Sequence, residues 1–186
     1  DEVYDRIVYD SPHVSFLGAG YDKLVMVQSF SKTFAMTGWR IGYLLSPDPE
    51  LMRELTKMQY YVTACSNDAM QHAVLEALER YPGYPEEMCA EFKERRDLIC
   101  ERLNAMPGVS CHVPTGAFYV FPKVEVPGMN SEEVALRLLE GGVLCSPGTA
   151  FGEAGEGHLR FAYTIGREDI SRGMDRVEAV LKELMG

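Results

Sequence analysis

Positive charge is in short supply in this sequence. Against 28 Asp and Glu stand 18 Lys and Arg, for a net charge of −10. An acidic surface repels phosphate backbones and anionic lipid heads, which argues against nucleic-acid and membrane partners. An anionic ligand must instead be caught by a local cluster of Lys and Arg. No apolar run reaches the length of a bilayer span, and no stretch has the charged, apolar and small-residue order of a signal peptide. The five cysteines, Cys65, Cys89, Cys100, Cys111 and Cys145, lack paired spacing. They read as reduced thiols of a cytoplasmic protein rather than as a secreted disulfide scaffold. His13, His72, His112 and His158 lack ligand spacing, so no metal site is expected. The Gly-rich PGTAFGEAGEG stretch lacks the strand-to-helix context of a nucleotide loop.

What is present reads as an ordinary globular chain. It has 186 residues, room for one domain or one and part of a second, and it opens on Asp1 rather than Met. It is therefore read as processed or as a piece of something longer. The apolar run at residues 24–27 predicts a buried strand ahead of the SFS segment, and residues 40–45 a second, with Thr37-Gly38 as the turn between them. Asp48 and Pro49 mark a helix start, followed by Leu51, Leu55, Met58 and Val62 at helical spacing. A second helix opens at Ser66 or Asn67 and runs to Arg80, burying Met70, Ala73, Val74 and Ala77. Residues 86–104 predict a long charged helix with a stripe of Met88, Phe92, Ile99 and Leu103 and an i, i+4 pair of Glu91 with Arg95. Beyond Pro107-Gly108, short strands at 109–112, 117–121, 143–145 and 159–163 mix with helices at 131–140 and 167–184. The last of these carries Ile170, Met174, Val177, Leu181 and Leu184 on one face. The expected division falls near residue 84, with the long helix as connector.

The chemistry gathers around Lys32. A lysine at the end of a buried strand is costly unless it is paired or has lost its charge, and imine formation with an aldehyde removes that charge. Ser29 and Ser31 place two hydroxyls within three residues of it, and Arg40 adds a guanidinium a short turn later. Those donors suit a phosphate. Singly, each has a plainer reading: a strand-end capping pair, a solvated lysine, an arginine in an ion pair. As a set they point to an aldehyde-bearing phosphate cofactor.

The fifteen residues SFSKTFAMTGWRIGY resemble the signature of the class I/II aminotransferases, within the fold-type I pyridoxal-phosphate enzymes. The resemblance implies an α/β fold: the C-terminal part of the large cofactor-binding domain over residues 1–83, then a connector helix and an α+β small domain over 84–186. It implies that Lys32 forms a Schiff base with pyridoxal 5'-phosphate and shuttles the proton between the substrate alpha carbon and C4′. By the same resemblance Ser29, Ser31 and Arg40 hold the phosphate. In the segment DEVY, Asp1 matches the acid that pairs with the pyridinium nitrogen, and Tyr4 the donor to O3′. PTGAFYVFP and PGTAFG resemble small-domain motifs of the family, and GHLRFAYT then puts Arg160 at the place of the substrate-carboxylate arginine. Left as a bare residue, Arg160 is a strand-edge arginine in a surface ion pair.

The implied function is transfer of an amino group between an amino acid and a 2-oxo acid, in a cytoplasmic homodimer at full length. Family members are about twice this long. A Gly-containing helix start, a ring-stacking aromatic and an Asn at O3′ lie upstream in them, so the chain alone is expected to be inactive. A pyridoxal-phosphate-dependent lyase and a non-catalytic, aminotransferase-like regulatory module stay open as alternatives. The amino donor and acceptor are not legible here.

Overall fold

Side-chain hydrogen-bonding caps mark where four of the helices of this chain begin, at Ser29, Asp48, Asn67 and Asn130. The computed structural model describes residues 1–186, in two units, residues 1–89 and 90–186. The division falls six residues beyond the expected one, inside a continuous helix.

In the first unit, strands β1 (Met26–Ser29) and β2 (Gly42–Leu45) pair antiparallel, with Ser29 opposite Gly42. One helical turn, α1 (Phe30–Thr33), and a 3-10 turn at Thr37–Trp39 fill the connection. Both strands begin two residues later than the apolar pattern predicts. Gln28 extends β1 because its buried side chain donates to Glu2 O at 2.9 Å, a partner that no periodicity reveals. Arg40 is excluded from β2 by its left-handed backbone, φ 54°. Gly42 is needed where it stands: a Cβ there would lie 2.5 Å from Gln28 O across the pair.

Helix α2 (Pro49–Thr63) starts where predicted, Asp48 Oδ1 accepting from the Glu50 and Leu51 amides at 2.9 and 3.1 Å. Its apolar residues find little cover in the unit. None is buried, and Met58 and Val62 are 65% and 71% exposed. Helix α3 (Asp68–Arg80) opens on the Asn67 cap. It buries Val74 and Ala77, while Met70 and Ala73 are only half-covered.

Helix α4 (Tyr84–Asn104) carries the chain into the second unit. Phe92, Ile99 and Leu103 of its expected stripe are buried, and Arg95 pairs with Glu91 at 2.9 Å. Strand β3 (Val109–Ser110) pairs with β5 (Lys123–Val124), and β4 (Tyr119–Val120), β7 (Leu159–Ala162) and β6 (Ser146–Pro147) form a three-stranded antiparallel sheet in the order β4-β7-β6. β3 stops short of the predicted 109–112. The Asn104 side chain takes both the N–H (2.8 Å) and the C=O (2.9 Å) of Cys111, standing in for a partner strand. β5 was not anticipated, and the 143–145 strand lies instead at 146–147. Helix α5 (Ser131–Glu140) has a full capping box between Asn130 and Glu133. Helix α6 (Arg167–Met185) buries Ile170, Met174, Val177 and Leu181, with Leu184 half-covered. No helix is long and apolar enough to cross a membrane.

Candidate active site

Lys32 sits half-buried on the single turn α1. Ser29 ends β1 and caps that turn: its Oγ accepts from the Ser31 amide at 3.1 Å and lies 2.9 Å from Ser31 Oγ. The plainer capping role of the serine pair is thus real, and it sets the two hydroxyls side by side. Thr37 Oγ1 donates to Ser31 O at 3.1 Å and folds the following loop back onto the turn. Ala35 and Arg40 both hold φ 54°. Such conformations cost a non-glycine residue on the order of 1 kcal/mol or more, so the surroundings must impose them. Arg40 is exposed, donates from Nη1 to Thr37 O at 2.9 Å, and makes no ion pair.

A cavity of about 580 Å³ lies beside β2 and α2, and Ser29, Ser31 and Arg40 all line it, with Leu55 and Tyr60 from α2. Lys32, Asp1 and Tyr4 are not part of its wall. Asp1 is exposed, its Oδ1 accepting from the Val3 amide at 3.1 Å, and Tyr4 is half-buried. Their segment is tied to β1 by the Glu2 N–H donating to Val27 O at 2.9 Å.

Glu2 is the residue of this segment that sequence reading missed. Its buried carboxylate accepts from His13 Nε2 (2.9 Å), the Phe16 amide (3.0 Å) and Ser15 Oγ (3.1 Å). The hydrogen bond from His13, aided by the other two and by His13's charge, holds the carboxyl below the ordinary carboxylate range against the opposing effect of burial. The sole signal was an unexplained Glu between Asp1 and Tyr4.

In the second unit, Arg160 projects from β7 opposite Ser146 of β6, with Nη2 3.5 Å from Ser146 Oγ. Its guanidinium carbon lies over two rings, 4.6 Å from the centre of Tyr119 and 4.4 Å from that of Phe151. Phe151 comes from a 3-10 turn, Gly148–Phe151, anchored by close backbone contact between Gly148 and Gly155. A Cβ on either glycine would fall 1.9–2.1 Å from the other's carbonyl oxygen. Arg160 makes no ion pair. Held by two rings and without a carboxylate partner, it keeps the planar fork of donors that suits a carboxylate. Neither aromatic partner was foreseen, because they come from a separate strand and a separate turn. No group of three or more His, Cys, Asp or Glu side chains gathers to hold a metal ion.

A family model described as aminotransferase class I and II matches residues 1–177. The aspartate aminotransferase of Pyrococcus horikoshii is 40% identical over 186 residues, covering 98% of this chain and 47% of that protein. Aromatic-amino-acid aminotransferase 2 of Thermococcus litoralis is 40% identical over 189 residues, covering 98% and 48%. The solved structure of an alanine aminotransferase from Pyrococcus furiosus superposes with a TM-score of 0.91 at 38% identity, covering 98% of this chain and 48% of that one. The chain spans about half the length of the curated relatives it matches.

Proposed function

The chain belongs to the class I and II aminotransferases, and from that premise we propose that its residues serve pyridoxal-phosphate-dependent transfer of an amino group between an amino acid and a 2-oxo acid. The observation that carries the reading is the meeting of Ser29, Ser31 and Arg40 on one cavity wall at the foot of the Lys32 turn. Two adjacent hydroxyls and a guanidinium without a carboxylate partner form a donor set for a phosphate dianion, in a chain otherwise acidic. The residues present therefore fit the phosphate end of the cofactor. When bound, pyridoxal phosphate supplies a ring that takes up the electron pair left on the substrate alpha carbon.

In this reading Lys32 would hold the cofactor through Nζ as a Schiff base and, once freed, would carry a proton to and from the substrate alpha carbon. Ser29 and Ser31 would donate to the phosphate, and Arg40 would balance its charge. Asp1 would keep the ring nitrogen protonated, and Tyr4 would donate to the ring oxygen O3′. Arg160 grips the substrate carboxylate and fixes the alpha C–H for abstraction. Residues 1–83 would then be the last part of a large cofactor domain, and 84–186 a connector and small domain. A cytoplasmic homodimer goes with this reading.

Borohydride reduction of the chain after incubation with pyridoxal phosphate tests it. A stable pyridoxyl adduct on the peptide carrying Lys32, lost in Lys32→Ala, is the expected result. Labelling spread evenly over the lysines, or unchanged in Lys32→Ala, would defeat it. A screen of amino donors against 2-oxo acids on the active enzyme then identifies the substrates.

A further inference from the structure

Two of the five thiols face each other. Cys100 on α4 and Cys111 just past β3 place their Sγ atoms 3.9 Å apart, and the residues are 2% and 7% exposed. Asn104, one turn along α4 from Cys100, clamps the Cys111 backbone through both its N–H and C=O. The approach is therefore built into the fold. A disulfide bond is about 2.05 Å long, so the sulfurs must close by roughly 2 Å. Cys111 is followed by the exposed His112 and Val113, so that side of the pair lies next to the surface.

The other thiols are placed differently. Cys89 donates to Val8 O at 3.3 Å, Cys65 is exposed, and burial pushes the Cys145 thiol up to about 11.

We propose that Cys100 and Cys111 form a redox site, in which a hydroperoxide withdraws two electrons and leaves the pair joined as an intrachain disulfide. The two sulfurs are in hydrogen-bond contact with each other, and Cys111 Sγ also lies 3.5 Å from His112 O. The thiolate of one cysteine attacks the distal peroxide oxygen, forming a sulfenic acid as the O–O bond breaks and the alcohol leaves with a proton. The sulfur of the other cysteine then attacks the sulfenic sulfur. The S–S bond forms, the S–O bond breaks, and hydroxide leaves as water with the second thiol's proton. Two thiols and one hydroperoxide thus give one disulfide, one alcohol and one water.

The test uses the folded chain, hydrogen peroxide as the probe, alkylation in denaturant after the peroxide is removed, and tryptic mapping. The expected product is a cross-linked pair of residues 97–102 with 103–123, lighter than the two free peptides by two hydrogen atoms and cleaved by dithiothreitol. Cys100→Ala and Cys111→Ala should each abolish it and leave the remaining thiol of the pair to oxidise to sulfenic and higher acids. The oxidised chain should also melt about 5 °C or more above the reduced one. Recovery of both peptides as alkylated thiols after Cys65 has fully reacted would overturn the proposal. So would a cross-link that forms only in denaturant.

Discussion

Arg160 gives the sharpest expectation at the scale of single residues. Two rings hold its guanidinium, which makes no ion pair. In steady-state kinetics of the active enzyme, Arg160→Ala should weaken the apparent affinity for amino acid and 2-oxo acid alike, by about 1.5–3 kcal/mol, or roughly 10- to 100-fold. Unchanged affinity for both substrates would return Arg160 to a purely structural role. Glu2 gives a pH expectation of definite sign. Its folded-state carboxyl lies below the ordinary value, so the stability it contributes is full above that value and is lost as pH falls through the depressed one. Urea midpoints measured from about pH 7 to 3 should therefore drop on the acid side, and Glu2→Gln should flatten that limb. An equally steep acid limb in the variant would count against Glu2. The two cases also show what a sequence conceals. Ser29, Ser31 and Arg40 lie within twelve residues of one another, so their sharing of one cavity wall was legible from spacing. The rings around Arg160 and the donors around Glu2 arrive from residues 9 to 41 positions away, where spacing carries no signal.

Elements were legible in proportion to how local their determinants are. Helix starts depend on a side chain reaching an amide two or three residues on, and Asp48 and Asn67 announced theirs. Strand ends depend on distant partners, and there the predicted spans shifted or shrank. The β1 extension rests on Gln28 reaching Glu2, and the early end of β3 on Asn104. Amphipathic spacing identified α2 as a helix but did not say whether its stripe is covered in this chain. Substitution separates the cases. Leu138→Ala in α5, where the side chain is fully buried, should cost about 2–5 kcal/mol. Val62→Ala in α2 should stay within about 0.5 kcal/mol. Asn130→Ala, which opens the α5 capping box, should fall between them at about 1 kcal/mol. Denaturant midpoints order the three, and a Val62→Ala loss as large as that of Leu138→Ala would mean that α2 is covered in solution.

For the whole molecule, family and extent point in different directions. The family model matches nearly the full chain, yet the chain spans about half of each curated relative. Capture of the cofactor and its turnover should therefore separate. In the proposed reading capture asks only for Lys32 with Ser29, Ser31 and Arg40, which lie within twelve residues of the first unit. Turnover asks further that ring, substrate carboxylate and proton-transfer group be held together, and misplacement by about 1 Å can cost on the order of a hundredfold. Tyr60 of α2, on the cavity wall, is 64% exposed, so that wall is open to solvent. The chain alone should thus trap pyridoxal phosphate on Lys32 while transaminating at least roughly a hundredfold more slowly than one of its full-length relatives. Borohydride trapping and a coupled amino-transfer assay on the same preparation measure both quantities. Turnover comparable to the relative's would show that these 186 residues already complete the catalytic site.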